Sequence, residues 1–171
     1  MYTLGTARLS LAPFGHADAA FIMALLNSPG WLQFIGDRNV RSTEDAIAYL
    51  DNGPLKSYQQ HGFGLMRVSL LSSGEPIGMC GLLKREELDT PDIGFAFFNR
   101  FEGQGFAYEA ASAVIQHARD VLGLAELSAV VQSNNTRSVT LLKKLGFRFA
   151  QSILFGVKRE ELDLYRLPLL R

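Results

Sequence analysis

The sequence predicts an α/β fold, a mixed sheet with helices on both faces, and three observations carry that expectation. Segments with strand and helix character follow one another in the order β-α-α-β-β-β-α-β-α-β-β. A strand-like run, Asp92-Ile93-Gly94-Phe95-Ala96-Phe97-Phe98, passes through Gly103 and Gly105 into a strongly helical stretch. Thirty residues on, Asn135 opens a helix whose apolar stripe is Leu141, Leu142 and Leu145 and whose stop signal is Gly146.

Each element has a local justification. Residues 6–11 alternate in polarity and read as a first strand. Residues 16–27 carry Ala20, Ile22, Met23, Leu25 and Leu26 at helical spacing, and Ser28-Pro29-Gly30 stops them. Residues 31–40, rich in aromatic and polar side chains, read as an irregular connection. Ser42 with Asp45 three positions later looks like a capped helix start. That helix is expected to run to about Asn52 and to break at Gly53-Pro54, with a shorter helix over 55–60. Residues 63–71, the turn Ser72-Ser73-Gly74-Glu75 and residues 77–84 read as a hairpin. After the strand at 92–98, Ala107, Ala110, Ala111, Val114, Ile115 and Ala118 mark a helix over 105–122. A strand at 126–132, the helix at 136–145, and a closing strand pair at 147–155 and 161–169 complete the order.

Composition narrows the function. A chain of 171 residues suits one domain, spanning 1–171, with a substantial core. Lys plus Arg and Asp plus Glu number 17 each, so no global field favours nucleic acid or a membrane surface. The single cysteine, Cys80, excludes an internal disulfide and a cysteine-based metal cluster, and its apolar neighbours mark it as a buried structural thiol. His16, His61 and His117 show no spacing for a metal or a triad, and His117 is expected on the surface of the long helix. No apolar run approaches about 18 residues, and no basic-then-apolar leader opens the chain, so the cytoplasm is the expected compartment.

The glycine run carries the chemistry. Where a strand hands over to a helix N-terminus, free backbone N–H groups and the helix dipole favour an anion. Gly103 and Gly105 let the backbone approach a bulky phosphate, and a pyrophosphate is the natural ligand. A tight turn alone would also use them.

Together, Glu102-Gly103-Gln104-Gly105-Phe106-Ala107 and the Asn135-Thr136-Arg137-Ser138 helix ending in Lys144-Leu145-Gly146-Phe147 resemble the GNAT superfamily of acyl-CoA N-acyltransferases. The likeness is greatest to the RimJ/RimL type of ribosomal-protein N-terminal acetyltransferases, and Thr6-Ala7-Arg8-Leu9-Ser10-Leu11 resembles the opening strand of that type. It implies a mostly antiparallel sheet of six or seven strands with a V-shaped opening between the fourth and fifth. It also implies acetyl-CoA as acyl donor, no metal, and direct transfer to an amine, either a protein N-terminus or a small molecule. The cofactor set implied is Phe95, Ala96, Phe97, Gly103, Gln104, Gly105, Phe106, Ala107, Tyr108, Asn135 and Ser138. Amides of Phe95, Ala96 or Phe97 would face the pantetheine arm and polarise the thioester carbonyl. Arg100, Arg137 and Lys143 are candidates for the adenosine 3′-phosphate. Glu102 departs from the family pattern, and a carboxylate there must point away or pair with Arg100.

For acid and base, the resemblance implies Ser138 as a proton donor to the leaving thiolate and Asp92 as a base acting through water. The tyrosine that many family members carry seven residues after the motif asparagine is here Leu142, as it is in the RimJ/RimL branch. Glu86 and Glu87 are further candidates near the acceptor, and Glu109 is read as structural. In the loop 31–39, Trp31, Phe34 and Ile35 either line an acceptor pocket or anchor the loop, and Asp37 is placed to meet an ammonium. A monomer or a homodimer is expected. A rival reading is a catalytically idle CoA-binding sensor that keeps the loop and lacks the acid and base.

Overall fold

The computed structural model of the chain describes residues 1–169. Its strands are β1 (Leu4–Gly5), β2 (Leu9–Pro13), β3 (Leu65–Leu70), β4 (Pro76–Leu83), β5 (Asp92–Phe97), β6 (Glu126–Val131), β7 (Arg148–Phe155) and β8 (Glu160–Pro168). Its α-helices are α1 (Ala19–Leu26), α2 (Pro29–Phe34), α3 (Thr43–Leu50), α4 (Lys56–His61), α5 (Phe106–Asp120) and α6 (Thr136–Lys144). The strands form one sheet in the order β1-β2-β3-β4-β5-β6-β8-β7. Every neighbouring pair is antiparallel except β5 with β6, which is parallel.

Alternation along the strands splits the core between the two faces. On one face Met66, Val68, Cys80, Leu82, Ile93 and Leu127 pack under Ala110, Ala111, Val114 and Ala118 of α5 and Leu142 of α6. On the other, Leu65 and Met79 pack under Ile22, Leu25 and Leu26 of α1, Trp31 of α2, and Ala46 and Leu50 of α3. The small residues on α5 let that helix lie close to the sheet. Each fully buried leucine contributes roughly 1.5–3 kcal/mol. Cys80 is buried, and burial holds its thiol far above the ordinary range, so it stays protonated and inert.

The structure differs from the sequence reading at four places. The sheet has eight strands because Leu4–Gly5 pairs with Leu11 and Ser10, a segment too short to show a period of two. Residues 29–34 form α2 where a stop at Ser28-Pro29-Gly30 and an irregular link over 31–40 were expected, because Pro29 stands in the first turn, where its fixed φ suits a helix. Gly53-Pro54 does not break the helical path. Residues 51–55 form a wider turn that carries α3 into α4 and accommodates the missing N–H of Pro54. His117 is only partly exposed on α5. Its ring lies 3.8 Å from that of Tyr2, its Nε2 is buried, and burial lowers its pKa. Of the expected 1–171 domain, residues 170 and 171 lie outside the described residues. Among the described residues no helix is long and apolar enough to cross a membrane.

Two glycines give opposite expectations. A Cβ on Gly81 would lie 2.2 Å from the Gly64 carbonyl oxygen and 2.8 Å from Leu65 Cα, both backbone atoms of the neighbouring chain segment. A Cβ on Gly53 would meet nothing within 4 Å. Gly81→Ala is expected to destabilise by ~1–3 kcal/mol. Gly53→Ala is expected to stabilise by ~0.4–1 kcal/mol. Thermal unfolding of the two variants checks both signs.

Candidate active site

The site begins where two strands part. β5 and β6 share a single register position, Asp92 opposite Ser128, and the Ser128 N–H donates to the Pro91 carbonyl at 2.9 Å. Strand alternation then decides which β5 amides are free. The Pro91 carbonyl faces β6, whereas the Phe98 N–H faces β4 and donates to Ile77 O at 3.1 Å. Counting between them, Phe95 and Phe97 direct their N–H and C=O groups into the gap, and Ala96 directs its own toward Met79 of β4. Ala96 therefore lines the opening without offering it an amide, a correction to the expected trio.

The loop after β5 is built around two left-handed glycines, Gly103 at φ +77° and Gly105 at φ +84°. Gly105 caps α5, and the first intrahelical bond runs from Glu109 N–H to Gly105 O at 3.0 Å. The N–H groups of Phe106, Ala107 and Tyr108 are thus left outside the helical ladder. One side chain from the far end of the chain holds this loop. Arg8 donates from Nη1 to Gln104 O at 3.1 Å and from Nε to Glu109 Oε1 at 2.8 Å, and its guanidinium lies 4.3 Å over the Phe106 ring. Glu109 also accepts from the Arg8 N–H at 2.9 Å and from the Thr6 hydroxyl. Burial raises its pKa, but these bonds outweigh burial and the net shift is downward. Glu109 is structural, as expected; the role of Arg8 had no signal in the sequence.

A cleft of about 670 Å³ runs along this loop. Phe95, Ala96, Phe97, Gly103, Gly105, Phe106, Ala107, Tyr108, Asn135 and Ser138 all line it. Gln104 does not. Its amide turns back to Arg100 O at 3.0 Å. Asn135 caps α6 by accepting from the Ser138 N–H at 3.3 Å, and both residues stand on the cleft wall. Glu102 pairs with Arg137 at 3.1 Å, not with Arg100. Arg100 instead reaches Glu75 at 3.6 Å and stacks on Phe98 and Phe101. Of the three cations expected there, Arg137 alone lines the cleft; Lys143 does not, whereas its neighbour Lys144 does, its ammonium 4.5 Å over the Tyr108 ring. Trp31 and Phe34 of α2 and Ile35 after it line the same cleft, and the buried Trp31 indole N–H has no hydrogen-bond partner among the described residues.

Asp92 sits at the point of parting, with its side chain 1% exposed. Arg85 Nη2 stands 3.3 Å away, yet among the described residues neither carboxylate oxygen finds an aligned hydrogen-bond donor. Burial pushes the Asp92 pKa up to about 6, against the pull of Arg85 and, more weakly, Lys84. Its side chain shares a face with Gly94, where a Cβ would lie 2.9 Å from Leu83 Cδ1 and 3.4 Å from Leu65 Cδ2. Leu65 and Leu83 belong to the wall of a second cleft, of about 640 Å³, which the other end of the 31–39 loop enters through Arg38 and Asn39. Asp37 lines neither cleft, because Arg41 Nη2 holds it at 2.6 Å. Glu86 and Glu87 are exposed and line neither.

Residues 8–148 match the family model described as Acetyltransferase (GNAT) domain. The "Uncharacterized N-acetyltransferase YnaD" of Bacillus subtilis is 32% identical over 143 residues, 84% of this chain and 81% of its own length. The FsC-acetyl coenzyme A-N(2)-transacetylase of Aspergillus fumigatus is 28% identical over 161 residues, 88% of this chain and 66% of its own length. Among solved structures, RimL, a ribosomal L7/L12 alpha-N-protein acetyltransferase in complex with coenzyme A, superposes with a TM-score of 0.81 at 15% identity, covering 98% of each chain. That likeness is one of fold. The parted strands, the glycine loop and the match over most of the chain agree, and the chain belongs to the GNAT acetyltransferases.

Proposed function

We propose that this acyltransferase moves an acetyl group from acetyl-CoA directly to a primary amine, with Ser138 and Asp92 as its proton donor and acceptor. The observation that carries the reading is the pair of unpaired β5 amides, Phe95 and Phe97, opening onto the same cleft as the free N–H groups of α5. Amides of Gly103, Gly105, Ala107 and Tyr108 would hold the pyrophosphate, and the edge of β5 would take the pantetheine arm as if it were a strand. Acetyl-CoA supplies an activated thioester carbonyl. Phe95 or Phe97 N–H would donate to that oxygen as it gains charge. Arg137, held by Glu102, and Lys144, over Tyr108, are the cations for the 3′-phosphate.

The amine nitrogen bonds to the carbonyl carbon and the carbon–sulfur bond breaks. Asp92 takes, through water, the proton that the nitrogen sheds. Its raised pKa brings it closer to neutral pH than an ordinary carboxylate, which suits a base. Ser138 supplies the proton to the departing thiolate. The likeness to the RimJ/RimL type, with Leu142 in the tyrosine position, favours a protein N-terminal amino group. The Aspergillus relative, by its name, favours a small-molecule amine. The reading is of a cytoplasmic enzyme, monomeric or homodimeric, and needs no metal.

Ser138→Ala is expected to lower kcat by about 10–100-fold while leaving acetyl-CoA affinity within about twofold. Thiol-release kinetics and calorimetry check the split, and an unchanged kcat removes Ser138 from the mechanism. Asp92 also couples folding to pH. Its folded pKa is raised above the unfolded value, so its contribution to stability is full below about pH 4 and is lost as pH rises through about 6. Asp92→Asn lacks this loss. Its stability relative to the parent should therefore rise by ~1–3 kcal/mol between about pH 4.5 and 7.5, read by urea unfolding, while its activity falls.

A further inference from the structure

We propose that the second cleft holds the anionic end, a carboxylate or a phosphate, of a small-molecule amine acceptor. The proposal rests on the transferase reading above. Four observations carry it. The cleft, at about 640 Å³, has the size of a small-molecule site. Arg38, Lys56 and Lys84 line it, and Asp45 is the one carboxylate among its described lining residues. Asp45 is already engaged, accepting the Arg41 N–H at 3.0 Å. Arg38, by contrast, is an exposed side chain at the cleft with no hydrogen bond or ion pair found among the described residues.

The second observation is a fixed charge. Lys84, an exposed side chain on the cleft wall, donates from Nζ to Arg85 O at 2.9 Å and to Leu88 O at 2.7 Å, which fixes the position of its ammonium. The third is a neutral donor. Tyr49 lines the same wall, and burial raises its phenol pKa, so it presents an O–H rather than a phenolate. The fourth is position. Leu65 and Leu83, part of that wall, press against Gly94, and Asp92 lies on the same face of β5, one alternation away. Asp92 is fully buried and lines neither cleft, so an acceptor entering here would direct its amine past Leu65 and Leu83 toward β5 and leave its other end among the three cations. That field disfavours a polyamine, whose second ammonium would meet like charge, and favours an amine with an anion at its far end.

The test uses four primary amines that share an aminoethyl skeleton and differ only in the group at its far end: β-alanine, O-phosphoethanolamine, ethanolamine and ethylenediamine. Thiol release from acetyl-CoA is expected to give kcat/KM about tenfold higher for an anionic member than for ethanolamine, with ethylenediamine lowest. The faster of β-alanine and O-phosphoethanolamine identifies the anion. Arg38→Ala should raise KM for the anionic amines about 3–10-fold and leave that for ethanolamine unchanged. A second readout is independent of turnover: amide NMR shifts with N-acetyl-β-alanine, O-phosphoethanolamine or N-acetylethanolamine at saturating CoA. Shifts at Arg38, Tyr49 and Lys84 from an anionic probe alone, reduced in Arg38→Ala, support the site. Such shifts without thiol release from any amine leave the anion site standing and overturn the transferase reading. Release from ethanolamine or ethylenediamine at an equal or higher rate, with no such shifts, overturns the anion site and leaves the transferase. Neither shifts nor release overturns both.

Discussion

The site depends on one interrupted strand pairing. β5 and β6 run parallel and meet only where Asp92 faces Ser128. A sheet that zipped further would satisfy the β5 amides internally and close the cleft. Because it does not, Phe95 and Phe97 keep polar backbone groups pointing into open space, which water or a ligand must satisfy. The same parting leaves Asp92 at its foot, buried and short of hydrogen bonds, with Arg85 as its near cation. The two free amides and the buried carboxylate to which the proposed chemistry assigns the oxyanion and the proton thus arise from one feature of the sheet, on a single strand.

The glycine loop is held open from a distance. Its left-handed glycines permit the turn, but Arg8, just before β2, fixes it, bonded to Gln104 O and Glu109 and stacked on Phe106. Binding is favoured when donors are set before the ligand arrives, because less ordering is left to do at that moment. The ion pair between Glu102 and Arg137 works in the same way. It pairs the carboxylate beside the glycines and ties the glycine loop to the first turn of α6. The two sequence segments that carry the family likeness are therefore also in direct contact.

Much of this was legible in the chain, and the reasons are local. Gly103, Gly105, the capping of α6 by Asn135 and the apolar stripe of α5 each depend on residues within a few positions, so periodicity and turn chemistry reveal them. What was illegible depends on pairs far apart in sequence. Arg8 with Glu109, Glu102 with Arg137, and Tyr2 with His117 become neighbours only through the sheet order. The amide role of Ala96 was misread because the parity of β5 is set by its partners, through Phe98 and Pro91, and not by its own residues. The helical path through Gly53-Pro54 was missed because a wide turn tolerates a proline that a regular helix rejects.

The most direct test of the account is residue-resolved amide hydrogen exchange across β5, with and without saturating acetyl-CoA. The expectation is that Ala96, bonded toward β4, is protected throughout. Phe95 and Phe97 should exchange quickly in the free protein and become protected when acetyl-CoA is bound. Protection of Phe95 and Phe97 in the free protein, or continued rapid exchange at saturating acetyl-CoA, would contradict the parted-strand site on which the proposed chemistry stands.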